Sequence, residues 1–301
     1  MGEKVNYIIS YIFVLIVAKL SCIVSDKFRT RLAIIFSDLL FKLNNNRKKV
    51  TIANLKQAFP DYSDKEISRI ACEAYRNLAI TFIELFAIPS MSREALRKKV
   101  RFEDPQTLID IHSKGKGIIF LSAHYGNWEL MAYSGREWLG FDMLIPVKIL
   151  KNYYVDRFTN KIRTGNGNQV VNMDHAAWKI IKTLKSGGAL ALLGDQAANE
   201  STDIFVKFFG KPALTYEAPA ELALKFGIPL VECFPERQLD GNYIIRQNII
   251  DYSDLEYSKQ NVKILTQRHV NVLEDQLRRK PEQWAWMHKR WKHSEKCKEQ
   301  L

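Results

Sequence analysis

Apolar positions along the chain change their spacing three times, and each change predicts a different kind of element. From Val5 to Val24 the text VNYIISYIFVLIVAKLSCIV is almost wholly apolar, broken only at Asn6, Ser10, Lys19 and Ser21. Its twenty residues suffice to cross a hydrocarbon layer of roughly 30 Å, so a membrane-anchoring helix is expected. A second apolar stretch, LAIIFSDLLFKL at 32–43, has helix length and flanking cations. It reads either as a helix lying in the membrane interface or as a core helix covered by the rest of the chain. Next, Ser63 and Glu66 form an S-x-x-E capping box ahead of a 3.6-residue period at Ile67, Ile70, Ala74 and Leu78. That pattern predicts a helix running towards Ile88, stopped by Pro89.

Beyond residue 100 the pattern becomes short continuous apolar runs bounded by Gly or Pro, with helical stretches between several of them. The runs are GIIFLSA (117–123), FDMLIPV (141–147), GALALLG (188–194) and IPLVECF (228–234). Strands of this kind are buried on both faces, which predicts a mixed α/β fold with a largely parallel central sheet flanked by helices. Such sheets present functional side chains at strand ends, and His124 and Asp195 each follow one of these runs. Residues 1–46 therefore read as a membrane-anchoring segment with an interfacial helix, and 47–301 as one catalytic-sized domain.

The net charge of +12 favours an anionic partner: a phosphate-bearing lipid, a nucleic acid or an acidic carrier protein. Lys4 alone precedes the first apolar run, whereas Lys27, Arg29, Arg31, Arg47, Lys48 and Lys49 follow it, an asymmetry that places the body in the cytoplasm. No small-x-small cleavage site follows the run, which argues against a signal peptide. The cysteines at 22, 72, 233 and 297 lack CxxC spacing and suggest neither a disulfide framework nor a zinc knuckle. His288, His293 and Cys297 lie close in sequence, but the flanking Trp and Lys residues suit a basic tail better than a metal site. The segment WAWMHKRWKH has a composition suited to lipid headgroups. Nothing in the chain resembles a nucleic-acid module.

The stretch SAHYGNWE (122–129) carries the candidate chemistry. In one regular helix, residues 124 and 129 would lie about 140° apart and never meet. If His124 instead occupies the strand-to-helix turn that Gly126 and Asn127 permit, Glu129 can reach back from the first helical turn, fix the tautomer and strengthen the base. The helix N-terminus beside it offers backbone N–H groups for an oxyanion. With no Ser or Cys nucleophile beside it, such a base would act on a substrate hydroxyl, which describes direct acyl transfer. A buried structural histidine with a surface glutamate is the bland alternative.

Several stretches together resemble one family. LSAHYGNWEL (121–130) resembles the H-x4-D/E motif of the lipid A late acyltransferases of the lysophospholipid acyltransferase superfamily. VTIANLKQAFP (50–60), NYYVDRFTNKIR (152–163), LLGDQ (192–196), FFGKPALT (208–215) and PEQWAWMHKRWK (281–292) match in the same order, over nearly the whole chain. The resemblance implies a glycerolipid acyltransferase-like fold. It also implies an enzyme at the cytoplasmic face of the bacterial inner membrane that moves a fatty acyl group from an acyl-carrier-protein thioester to a hydroxyl of a lipid A precursor. His124 would deprotonate that hydroxyl and Glu129 would orient the imidazole, with no metal or redox cofactor. Arg163 matches the family arginine seven residues after Asp156, and would bind a phosphate or the oxyanion, with Arg157 and the turn residue Asn127 as further binding candidates. Asp195 and Gln196 match the family's D-Q pair, where the carboxylate would meet Arg163 or His124, or cap a helix. Lys148-Ile149 stands where many relatives carry Arg-Pro, which makes Lys148 a weaker phosphate contact. Phe208 and Phe209 would wall an acyl pocket or simply fill the core. Another lipid acceptor, a CoA thioester donor, or a non-catalytic protein that only binds anionic lipid are the competing readings.

Overall fold

The computed structural model describes residues 2–43, 45–196 and 203–295. Four helices come first: α1 (Gly2–Ile23), α2 (Asp26–Leu43), α3 (Asn45–Ala58) and α4 (Asp64–Ala87). The capping box at the start of α4 forms as expected, with the Ser63 hydroxyl accepting from the Glu66 N–H and the Glu66 carboxylate accepting from the Ser63 N–H. Such a cap is worth about 1 kcal/mol. Pro89 ends the helix in a short 3-10 turn.

The α/β part follows in the order α5 (Arg93–Lys99), β1 (Val100–Phe102), α6 (Pro105–Ser113), β2 (Ile118–Ser122), α7 (Trp128–Leu139), β3 (Met143–Val147), α8 (Tyr153–Arg163) and β4 (Gln169–Asn172). It continues with α9 (Ala177–Lys185), β5 (Ala189–Leu193), a hairpin of β6 (Ile204–Phe208) and β7 (Lys211–Thr215), α10 (Ala218–Phe226), β8 (Leu230–Arg237), β9 (Tyr243–Ile249) and α11 (Lys259–Arg279). The four apolar runs of the sequence are β2, β3, β5 and β8.

The main sheet has the order β1-β9-β8-β2-β5-β3-β4. Its strands from β8 to β4 are mutually parallel, while β9 pairs antiparallel with β8 and β1 lies parallel to β9. Alternation along β2 builds two cores. Ile118 and Phe120 face a layer containing Leu108 of α6, Leu130 of α7 and Ile162 of α8. Ile119 and Leu121 face Ile180 and Leu184 of α9, Leu224 of α10 and Leu265 of α11. All five residues of β2 are buried, as a strand covered by helices on both faces requires.

A third core joins α3, α4, β6 and the C-terminal segment around Trp284, Trp286 and Trp291. All three indoles are buried, Trp286 completely. The expectation that this segment faces lipid headgroups is therefore corrected: its aromatic rings interlock, Trp284 edge-on to Trp286 at 4.5 Å, and leave the cations between them to find the surface or a buried partner. Phe208 and Phe209 belong to the same core, against Trp284, Trp286 and Trp291. Cys297 lies outside the described residues. On α2 the two readings divide by face: Ala33, Ser37 and Phe41 are buried, while Ile35, Phe36, Leu39 and Leu43 are exposed.

Candidate active site

The turn after β2 is built by close backbone approach. Gly126 has φ +51, and a Cβ there would overlap the carbonyl oxygen of Pro235 on β8. Only glycine satisfies both conditions. Its N–H donates to the Gln283 carbonyl at 2.8 Å, and its own carbonyl accepts from the Thr81 hydroxyl of α4 at 2.6 Å. Asn127 is the N-cap of α7: its Oδ1 accepts from the Leu130 N–H, and its Nδ2 donates to Glu84 at 2.8 Å. Glu84 is itself buried and held by Tyr243 Oη at 2.7 Å and Lys99 Nζ at 2.8 Å. Both polar ends of Asn127 are thus used inside the protein and the residue is fully buried, so its side chain supports the turn.

His124 sits in this turn, as the spacing predicted, and of the two carboxylates expected within its reach it is Asp195, not Glu129, that meets the imidazole. Ser122 of β2 pairs in register with Leu193 of β5, so His124 and Asp195 stand at the same level two residues further on. Asp195 Oδ1 lies 2.9 Å from His124 Nδ1, and Oδ2 accepts from the His124 backbone N–H at 3.0 Å and from Trp284 Nε1 at 2.7 Å. Burial alone would raise the Asp195 carboxyl, but the His124 charge and these three donors hold it below the ordinary carboxylate range. Burial likewise opposes a charge on His124, yet the Asp195 charge and hydrogen bond, helped by the Glu129 charge, raise its pKa above the usual histidine value. With Nδ1 turned to Asp195, Nε2 is the nitrogen that faces away from that carboxylate. The Gln196 amide nitrogen stands 3.3 Å from both ring nitrogens, a position over the ring and off the line of either lone pair. Trp128 meets the imidazole edge-on at 5.0 Å.

Glu129 makes no hydrogen bond to the imidazole among the described residues, which corrects the expected His124–Glu129 contact. Arg163 of α8 takes it in a fork: Nε to Oε2 at 2.9 Å and Nη2 to Oε1 at 2.6 Å. Arg163 Nη1 donates to Asn160 at 3.0 Å. The physical cause is the helix: in the first turn of α7 the Glu129 side chain points towards α8, where a planar cation matches both oxygens. Glu129 is 7 % exposed, and its charge reaches His124 through space. Arg163, expected to bind phosphate, has its fork committed to Glu129.

Arg157 is exposed on α8, and Lys148 is exposed one residue past β3; neither stands in the cluster around His124. Trp284 and Glu84 were not foreseen. Trp284 is 89 residues from Asp195, and no local pattern announces a contact across that separation.

This architecture places the protein in the class of α/β proteins that carry their reactive side chains on the carboxyl edge of a parallel sheet. Residues 3–293 match the family described as bacterial lipid A biosynthesis acyltransferase, and the chain belongs to it. It is thus an acyltransferase enzyme of lipid A biosynthesis. A comparison with curated proteins found no match.

Proposed function

We propose that the enzyme transfers a fatty acyl group from an acyl-carrier-protein thioester to a hydroxyl of a lipid A precursor, with His124 as general base. The observation that carries this reading is the imidazole held through Nδ1 by buried Asp195, which turns Nε2 away from that carboxylate, in a chain of the lipid A acyltransferase family. In the proposed reaction Nε2 takes the hydroxyl proton as the oxygen attacks the thioester carbonyl carbon. The tetrahedral intermediate collapses, the carbon–sulfur bond breaks, and the departing carrier thiolate takes the proton back from the imidazolium. No oxidation state changes, so the balance needs no redox cofactor. Asp195 fixes the tautomer and stabilises the imidazolium. Glu129 acts through its charge and by holding Arg163 beside the site, and the N-terminus of α7 favours the developing oxyanion.

The anchor at residues 1–46 and the basic surface, to which exposed Lys148 and Arg157 belong, fit a phosphate-bearing acceptor at the cytoplasmic face of the bacterial inner membrane, served by an acidic carrier. The test is acyl transfer from purified acyl carrier protein to a purified lipid A precursor, read as a mass gain of the acceptor. His124→Ala should abolish the gain in folded protein. Wild-type turnover by that variant would overturn the reading, and transfer from acyl-CoA alone would reassign the donor.

A further inference from the structure

Helix α1 is long and apolar enough to cross a membrane. Its contacts with the body argue against that path. Near its start, Asn152 at the cap of α8 donates to the Tyr7 carbonyl at 2.9 Å and to the Ser10 hydroxyl at 2.8 Å, and Tyr11 stacks on Tyr154 at 5.6 Å. Near its end, Cys22 Sγ lies 3.4 Å from the Phe86 carbonyl of α4, and Ala18 and Ser21 are buried. Arg29 then closes the helix, donating to the carbonyls of Ser21 and Val24. The helix is therefore fastened to the body over about 22 Å at 1.5 Å per residue, which is most of a bilayer core of roughly 30 Å.

If α1 crossed that core, the start of α8 and the residues just before it would be carried into it. Lys151, ahead of the Asn152 cap, and Arg157 on α8 are exposed. Each cation at mid-bilayer costs about 2.5–3.5 kcal/mol even by the lowest scales. The opposite side of α1 is different: Ile9, Ile12, Phe13, Ile16, Leu20 and Ile23 form one exposed apolar strip. Next to the Asn152 contact, the β3–α8 connection adds exposed Ile149, Leu150 and Tyr153, flanked by Lys148 and Lys151. An apolar strip with cations at its rim fits the headgroup boundary of an anionic leaflet.

We propose that α1 does not span the membrane but lies in one leaflet, its outer strip and the β3–α8 loop seating the enzyme on the bilayer from a single side. That loop leaves the same carboxyl edge of the sheet as His124 and Asp195. The seat thereby brings the site to headgroup level, where a lipid hydroxyl is presented without leaving its leaflet. The inference rests on the membrane attachment in the proposed function and is independent of its chemistry.

The test uses full-length protein added to preformed vesicles of phosphatidylethanolamine and phosphatidylglycerol, so that every body faces outward. Glu3→Cys reports the start of α1, and Lys114→Cys, on the opposite edge of the sheet from His124, reports the body. Both retain the native cysteines, and the wild-type signal is subtracted. A membrane-impermeant maleimide should label Glu3→Cys as fully before detergent as after, like Lys114→Cys. Labelling of Glu3→Cys only after detergent would overturn the single-leaflet seat while leaving the catalytic reading intact. Failure of the wild type to co-sediment with vesicles would overturn both the seat and the membrane attachment.

Discussion

Asp195 grips His124 at two points, accepting its backbone N–H at 3.0 Å and lying 2.9 Å from Nδ1 of its ring. The backbone bond fixes where the residue stands, and the ring contact fixes how the imidazole turns and which nitrogen keeps its proton. Asp195→Asn should keep the fold and lower kcat by roughly 10²–10⁴-fold, because an amide neither compels that tautomer nor stabilises the imidazolium. Turnover with carrier-bound acyl donor measures this.

The same contact sets the pH dependence. Neutral His124 is the form that accepts a proton, so the rate rises with pH through its pKa. Asp195 raises that pKa above the ordinary value of about 6.5. The acidic limb of the kcat/KM profile should therefore lie above that value in the wild type and move to lower pH in Asp195→Asn. An unmoved limb would show that the titrating group is not this imidazole.

Trp284 is expected to matter without touching the acceptor. Its indole N–H donates to Asp195 at 2.7 Å inside the core. Trp284→Phe keeps most of the aromatic volume and removes that donor, which should cost about 1.5–3 kcal/mol in denaturant unfolding. It should also move the acidic limb, a change that loss of packing alone would not produce.

Glu129 and Arg163 should behave as a unit. Removing the cation leaves a buried carboxylate unpaired, so Arg163→Ala should destabilise by about 3–5 kcal/mol, with Arg163→Ala/Glu129→Gln recovering part of the loss. In a double-mutant cycle on kcat the effects should be far from additive. Additive losses would mean that Glu129 reaches the reaction without Arg163.

Gly126→Ala should be among the most damaging small changes. The added methyl would overlap the Pro235 carbonyl in a backbone conformation that already disfavours it. Loss of soluble protein, or a large drop in Tm with loss of activity, is the expected outcome in expression and thermal melts.

Much of the framework was legible because it is local. The capping box of α4, the stop at Pro89 and the continuous apolar strands β2, β3, β5 and β8 each depend on residues within a few positions of one another. β9 was not legible: YIIRQNI mixes apolar and polar residues, as suits a strand away from the sheet centre, and only its long pairing with β8 makes it a strand. The C-terminal tryptophans were misread for a related reason. A run of Trp, Lys and Arg has the composition of a membrane rim, and its folding inward to meet Tyr125, Asp195 and Phe208 is settled by distant partners.

The sequence by itself determined that His124 stands in a glycine turn after a buried strand, with acidic residues in reach, because strand burial, turn geometry and helix caps are short-range properties. Which carboxylate meets the imidazole was decided only by the tertiary structure. Glu129, five residues along, is swung by the helix into the fork of Arg163, while Asp195, 71 residues along, is delivered to the ring by the in-register pairing of β2 with β5. Register between strands is a long-range property, and no window of sequence around His124 contains it.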